Sequence, residues 1–232
     1  MPLSLCSMKN ENNTAAVSGK AAQKTELIRF INNYEISRAL KWLENQRRPI
    51  SLVSSLLFTT DQTVRWRAIE LLGKLAGIIS KSDKVSIRKL LTHNIWMMND
   101  ESGNVGWCAP ETIGEVLYNV PEFIDEFGIM LPTFIIEEPF ERGIHWAIAR
   151  VSEIKPEIYI KDFSKILKSL EDSDPYIRAY TSEAVMLIDP LNAKSKVEKL
   201  KADQGDIELY NFTTGNLYQT KVGKIVTELV NI

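Results

Sequence analysis

The stretch 64-VRWRAIELLGKL-75 decides the fold, because a variant of it returns 41 residues later as 105-VGWCAPETIGEV-116. The two segments share valine, tryptophan, alanine, glutamate and glycine at the same offsets. The glycine position is continued by Ala149, 35 residues after Gly114, and by Met186, 37 residues further on. A helix pair of this length cannot bury its apolar face alone, so recurring units must stack on one another. The spacing therefore predicts a helical repeat fold.

Helical periodicity extends over most of the chain, since apolar residues recur at intervals of three and four. Prolines and aspartates mark the helix boundaries, and Asp174 before Pro175 is typical of an N-cap followed by the first helical position. The pattern predicts a break near Asn33 and an end at Pro190. The predicted helices cover residues 25–32, 36–43, 49–57, 61–79, 85–95, 105–119, 121–134, 140–154, 158–170 and 175–189.

The C-terminal stretch 206-DIELYNFTTGNLYQTKV-222 departs from this periodicity. Apolar and polar residues alternate around Thr214-Gly215-Asn216, which predicts a β-hairpin, and a last helix follows at 224–230. An isolated hairpin is marginal in water, so we expect it to pack on the final repeat as a cap. The sequence therefore predicts a flexible leader at 1–23, a HEAT-like helical repeat domain at 24–204, and the hairpin with a capping helix at 205–232.

The segments 61-DQTVRWRAIELLG-73 and 174-DPYIRAYTSEAV-185 resemble the second-helix signature of HEAT repeats, in which an aspartate precedes Val/Ile-Arg and then alanine. The resemblance covers about residues 48–200. It implies an all-α fold, a right-handed HEAT-like (armadillo-like) α-α superhelix, or solenoid, with a small C-terminal β-hairpin. With the segment ESGNVGW at 101–107 included, the chain is also similar to small bacterial HEAT-like proteins.

In HEAT-like solenoids the second helices line the concave face, so the resemblance implies a working surface. The residues it would carry are Trp66, Trp107, Glu111, Glu115, Arg142, Trp146 and Arg150. In the same way, the resemblance implies that Arg178 pairs with acidic residues of neighbouring repeats. HEAT repeats serve mostly as interaction scaffolds.

The central stretch 96-WMMNDESGNVGWCAPETIGEVL-117 carries the most site-like chemistry in the chain. Glu111 and Glu115 stand four residues apart on one predicted helix face, where like charges repel and a bound cation or basic partner would relieve the repulsion. Glutamine at either position is therefore expected to leave stability unchanged or slightly raised. Pro110 lies inside the predicted helix, which predicts a kink that leaves the Gly106 carbonyl without its usual donor.

The charge distribution is balanced overall but locally uneven. The net charge is −2, which argues against a protein whose main task is to neutralise phosphates. From His93 to Glu141, however, there are ten acidic residues and no lysine or arginine. This acidic belt is either a solvated helix face or a surface for a cationic partner, substrate or metal.

The candidate binding residues are Glu101, Trp107, Glu111, Glu115, Arg142, His145 and Trp146. Trp107 shares its repeat position with Trp66, so it is either a packing residue or an exposed anchor. His93 and His145 lack a second ligand at metal spacing, and Cys6 and Cys108 lie far apart, so neither a metal, a disulfide nor a cofactor is expected. No catalytic residue is assigned.

Two functions follow from these observations. The first is a non-enzymatic interaction scaffold that holds a protein or peptide partner, or a cationic ligand, on a concave, acidic, tryptophan-containing face. The alternative is a HEAT-like DNA glycosylase acting on alkylated purines, whose site Trp107, Glu111, Arg142 and Trp146 would imitate. That family uses aspartate and a basic face, so nucleic acid is not the expected partner; HEAT-like phycobilin lyase subunits share only generic features. Without a signal peptide or an apolar span, we expect a cytoplasmic protein.

Overall fold

The computed structural model describes residues 7–99 and 106–231, and this part of the chain is mostly helical with one small antiparallel sheet. The expected helical fold with a C-terminal hairpin is confirmed at this level. The chain forms two compact units, Met1–Leu71 and Leu72–Ile232. Domain boundaries at residues 23 and 204 stay a prediction. None of the described helices is long and apolar enough to cross a membrane.

The first unit is helical, and its helices are α1 (Ser7–Asn32), α2 (Ile36–Leu43), α3 (Pro49–Ser54) and the start of α4 (Gln62–Ile79). The break predicted near Asn33 is confirmed, because Tyr34 takes a positive φ of 53° between α1 and α2. The Asp61 side chain caps α4, as expected, by accepting the Val64 N–H at 3.0 Å. Helix α1 is longer than predicted, since it begins well before residue 25.

Two buried polar groups of α4 hold the end of α1. The Arg67 guanidinium donates to the carbonyl oxygens of Ile31 and Asn32, both at 2.8 Å. These carbonyls lie in the last turn of α1, beyond the reach of the helix's own N–H groups, and the Ile31 carbonyl also accepts the Tyr34 N–H at 3.0 Å. The Tyr34 hydroxyl donates to the buried Glu70 carboxylate at 3.2 Å. Arg67 and Glu70 therefore compensate the polar groups that this end of α1 would otherwise bury.

The second unit continues with helices separated by short 3-10 segments. The α-helices are α5 (Lys84–Met98), α6 (Ala109–Asn119), α7 (Ile124–Phe127), α8 (Glu141–Ser152), α9 (Phe163–Leu167), α10 (Pro175–Ile188), α11 (Pro190–Val197) and α12 (Val222–Val230). The 3-10 segments are Pro121–Phe123, Gly128–Phe134, Pro156–Asp162, Lys168–Glu171 and Glu198–Ala202. The helices predicted at 121–134 and 158–170 are therefore interrupted rather than continuous.

Within this unit the longer helices pack in sequence, α5 on α6, α6 on α8, α8 on α10 and α10 on α12. Glycines at the recurring sequence position permit close contacts, of Gly73 in α4 with α6 and of Gly114 in α6 with α8. A Cβ atom at Gly73 would lie 2.5 Å from Cγ of Glu115, and one at Gly114 would lie 2.8 Å from Cα of Ala147. The expectation that small residues bring neighbouring helices close together is confirmed at both glycines.

The predicted helix at 105–119 needs a correction at its start. Helix α6 begins at Ala109, and Pro110 occupies its first turn rather than its interior. The Gly106 carbonyl accepts the Ala109 N–H at 2.7 Å, so it is not left without a donor. The predicted mid-helix kink is wrong, because proline in a first turn removes an N–H that has no intrahelical acceptor.

The C-terminal hairpin is confirmed. Strands β1 (Asp206–Asn211) and β2 (Asn216–Lys221) pair antiparallel, with Leu209 opposite Tyr218. Gly215 takes a φ of 68° in the turn, a conformation that favours glycine, and its N–H donates to the Asn211 carbonyl at 2.7 Å. Helix α12 follows directly, and β1 contacts α10.

Helix α11 is absent from the sequence-based prediction, which ended the helical run at Pro190. Asp189 accepts the Asn192 N–H at 3.2 Å, and Pro190 occupies the first turn. This is the same aspartate-proline start that identified α10, where Asp174 accepts the Tyr176 N–H at 2.9 Å. The proline therefore ends one helix and starts the next.

Candidate functional site

A cavity of about 310 Å³ lies in the second unit between α8, α10, the hairpin and α12. Five aromatic rings line it, together with two carboxylates, one arginine and four aliphatic side chains. The aromatic residues are Trp146, Tyr180, Tyr210, Phe212 and Tyr218, and the charged residues are Arg150, Glu153 and Glu183. We call this the aromatic cavity. Concave sites of this size, apolar with a few placed charges, are typical of ligand pockets.

Helical spacing presents these side chains on one face of each helix. Trp146 and Arg150 on α8 and Glu153, which caps its C-terminus, are separated by four and three residues. Tyr180 and Glu183 on α10 are three residues apart. The hairpin completes the wall with Phe212, which lies just after β1. Its ring is stacked on Trp146, with centroids 6.3 Å apart and planes at 17°. The cavity is therefore built from two helices and the C-terminal hairpin.

Arg150 is the central charged group of this surface. Its Nε donates to Oε2 of Glu115 at 2.8 Å, and its Nη1 donates to Oε1 of Glu153 at 3.0 Å. The guanidinium carbon lies 3.4 Å from the Tyr118 ring centroid and 4.5 Å from that of Phe212. Burial lowers the pKa of Arg150, but the charges of Glu115 and Glu153 more than offset it and the net shift is upward. Arg150 is therefore a permanently charged group between two aromatic rings.

Glu183 is the acid of the cavity whose charge is least well compensated. Burial, followed by the charge of Glu153, raises the pKa of Glu183 from 4.5 to about 7. Burial and the charge of Glu183 also raise the pKa of Tyr180 well above its usual value. Arg150 is already matched by two carboxylates, Glu115 and Glu153. A positive charge placed beside Glu183 would therefore stabilise its ionised form and lower its pKa.

Glu115 lies behind this wall rather than on an open face. Its side chain is 1% exposed, and Arg150 neutralises it. Asn119 adds a second donor, at 2.9 Å from Oε1. The expectation of a like-charge pair that awaits an external cation is therefore wrong for Glu115, because Arg150 of the neighbouring helix α8 already neutralises it.

Arg142, at the start of α8, is exposed but already interacts with two residues of the chain. It forms an ion pair with Asp174, and its guanidinium carbon lies 4.5 Å from the Tyr176 ring centroid. Glu111 faces the backbone of the same helix, since a Cβ atom at Gly143 would lie 2.7 Å from its Oε2. Neither Arg142 nor Glu111 lines the aromatic cavity. Their assignment to a binding surface stays a prediction.

His145 is buried in α8. Its Nδ1 donates to the Glu141 carbonyl at 2.7 Å, which leaves Nε2 as an acceptor with no hydrogen-bond partner among the described residues. Burial lowers the pKa of His145, which favours the neutral ring. It is not one of the side chains that line the aromatic cavity.

The remaining candidates lie near the start of α6. Trp107 is 64% exposed, so the structure favours the exposed alternative over a core packing role. Cys108 is buried. Glu101 falls at residues 100–105, outside the described residues. No group of three or more His, Cys, Asp or Glu in the described part of the chain is placed to hold a metal ion.

Four of the ten carboxylates of the acidic belt pair with basic residues of neighbouring elements. Glu122 pairs with Lys84, Glu126 pairs with Arg88, and Asp125 accepts from Lys155 at 2.6 Å. Together with Glu115, these carboxylates already have cations within the second unit. These four carboxylates therefore join neighbouring elements of the second unit.

The sequence-based prediction found Trp146 but missed Glu153, Tyr180, Glu183 and the hairpin aromatics. One signal was available, since Tyr176, Tyr180, Glu183 and Leu187 share one helical face of α10. Helical periodicity could not identify Phe212 as a lining residue, because its position depends on the hairpin packing against α8, more than 60 residues earlier in the chain.

Comparison of the chain with protein-family models, with curated proteins and with solved structures gives no match.

Proposed function

We propose that the chain is a HEAT-like repeat protein, coiled as a right-handed superhelix, that acts as a non-enzymatic scaffold and binds a basic protein or peptide partner. The recurring sequence unit and the order of packing from α6 to α12 support the repeat architecture. The glycine contacts at equivalent repeat positions support it as well. In this proposal the second helices form the concave face, and the aromatic cavity is its anchor point.

The aromatic cavity carries the proposal, because its chemistry is complementary to a cationic side chain. Tyrosine, tryptophan and phenylalanine rings attract a cation through their negative faces, and a desolvated carboxylate adds a direct partner. A lysine or arginine of a partner would lie beside Glu183 and offset the cost of ionising it. The position of Arg150 over Phe212 supports this view, since it is an example of the same contact made within the chain.

Titration calorimetry with short peptides tests the proposal. We expect arginine-rich and lysine-rich peptides to bind at low ionic strength, to weaken with added salt, and to lose affinity in Glu183→Gln. Glu157→Gln is the matched control. Glu157 is exposed in the same unit, and the substitution removes the same charge at a position that does not line the cavity. A glutamate-rich peptide that binds as tightly as the basic ones would overturn the proposal.

The glycosylase alternative predicts a different outcome. It requires tight binding of duplex DNA at physiological salt and release of alkylated bases. Two of the residues that would imitate the glycosylase site already have partners within the chain, since Arg142 pairs with Asp174 and Trp146 is stacked on Phe212. A base-release assay on alkylated duplex DNA separates the two functions, and we expect no release.

A further inference from the structure

A second concave surface lies in the first unit, between α1, the connection from α2 to α3, and α3 itself. Its volume is about 540 Å³. The polar side chains that line it are mainly Gln23, Lys24, Gln46, Arg47, Arg48 and Ser51. Three of these are cations, and no acidic residue lines the surface. We call it the basic pocket. The basic pocket is lined by cations without an acid, whereas the aromatic cavity is lined by aromatic rings and two glutamates.

The three cations of the basic pocket are not matched internally. In the described part of the chain, Lys24, Arg47 and Arg48 form no ion pair. Other arginines of the same unit do: Arg29 pairs with Glu26 at 2.6 Å, and Arg38 pairs with Glu35 at 2.8 Å. Like charges grouped without a counter-charge repel one another, and an anion relieves that repulsion.

A hydrogen-bond relay holds two sides of the basic pocket together. The Gln23 side-chain amide of α1 donates to Oε1 of Gln46 at 2.9 Å, and the Gln46 amide donates to the Trp42 carbonyl at 3.2 Å. Lys24 follows Gln23 directly, and Arg47 follows Gln46. The relay therefore keeps a lysine from one helix and an arginine from the next connection at the same pocket, which is the preorganisation that a small anion site needs.

We propose that the basic pocket binds an oxyanion of the phosphate-monoester class. Arginine presents a planar fork of N–H donors that matches phosphate oxygens in pairs, and lysine adds a point charge. Three cations are enough to neutralise a phosphate monoester, which carries a charge of about −1.5 to −2 near pH 7. The Ser51 hydroxyl and the Gln23 amide lie in the same pocket as neutral polar groups.

The phosphate group could belong to a soluble compound or to an anionic lipid headgroup, so the test uses two probes on the full chain. Glycerol 3-phosphate, a soluble phosphate monoester, is titrated by calorimetry at low ionic strength, and vesicles of phosphatidylcholine with and without phosphatidic acid are tested by co-sedimentation. Binding of glycerol 3-phosphate identifies a soluble source. Binding confined to vesicles with phosphatidic acid identifies a headgroup. Either result supports the site if the pocket variants abolish it.

Single variants Lys24→Gln, Arg47→Gln and Arg48→Gln are each expected to weaken binding by about tenfold or more. Lys41→Gln is the matched control, because Lys41 is exposed in the same unit and does not line the pocket. Arg47→Lys keeps the charge but loses the fork, so we expect a partial loss. All four positions are exposed, and circular dichroism should show unchanged folding. Absence of binding to both probes, or equal losses in Lys41→Gln and the pocket variants, would overturn the proposal.

Discussion

Arg150 of α8 binds Glu115 of α6 with its Nε 2.8 Å from Oε2, and the Glu115 side chain is 1% exposed. Glu115 follows Gly114 and Arg150 follows Ala149, so the two residues occupy equivalent positions of the recurring sequence pattern. The ion pair therefore joins α6 to α8 next to their close helix contact. It also fixes Arg150 as one side of the aromatic cavity.

Glu115→Gln should destabilise the fold. The substitution leaves Arg150 partly buried with only Glu153 as a charged partner, and breaking a buried pair costs about 3 kcal/mol or more of the free energy of unfolding. Urea denaturation measures the change, with Glu157→Gln as the exposed control. If Glu115→Gln were as stable as the parent protein, the like-charge repulsion expected from the sequence would be the better account of Glu115.

Gly114→Ala should destabilise the contact between α6 and α8. The added methyl group would lie 2.8 Å from Cα of Ala147, and backbone atoms can yield only by moving a helix, at a cost of about 1–3 kcal/mol. Gly19→Ala is the control, because nothing lies within 4 Å of a Cβ atom at Gly19 in α1. Thermal unfolding should show a lower midpoint for the first variant and no decrease for the second. Equal midpoints would mean that close packing at Gly114 is dispensable.

Trp107→Ala and Trp146→Ala should separate exposure from cavity formation. Trp107 is 64% exposed, so its loss should change the free energy of unfolding by about 0.5 kcal/mol or less. Trp146 is partly buried against Phe212, so its loss should cost more stability and also remove affinity for basic peptides. Denaturation combined with peptide titration checks both effects. A larger stability loss in Trp107→Ala would restore the packing interpretation of the repeated tryptophan.

Sequence patterns predicted the helices, the hairpin and the close approach at Gly73 and Gly114, because all three depend on local spacing. They failed where the partner of a residue lies on another helix. Glu111 and Glu115 look equivalent on a helical projection, and only the neighbouring helix shows that Arg150 neutralises the second. Pro110 was misplaced because the start of α6 depends on a turn whose boundary local periodicity does not mark.

The aromatic cavity could not be predicted from the sequence for a related reason. Trp146 was identified, but its partner Phe212 arrives from a hairpin whose docking is a tertiary property. Glu183 was overlooked because an acid on a helix face looks solvated until the packing around it is known. Its raised pKa arises from burial and from Glu153, and neither effect is visible in the sequence.

The stability of the protein should depend on Glu183 in a defined pH interval. The pKa of Glu183 is about 7 in the folded state against 4.5 for the unperturbed group. Between these values the folded state holds a proton that the unfolded state has released, so the free energy of unfolding falls as pH rises, and this contribution is constant above the interval. Glu183→Gln should therefore be more stable than the parent at about pH 8, and the difference should vanish near pH 4.5. Parallel stability curves for the two proteins would contradict this assignment.

The pH dependence of basic-peptide binding tests the central claim most directly. Calorimetric titration of an arginine-rich peptide should give a higher affinity at about pH 8, where Glu183 is ionised, than at about pH 6, where it is largely protonated. In Glu183→Gln the affinity should be low and nearly independent of pH, whereas Glu157→Gln should keep the parent profile. Binding that is absent at both pH values, or that has the same pH profile in Glu183→Gln as in the parent protein, would contradict a cation site at the aromatic cavity.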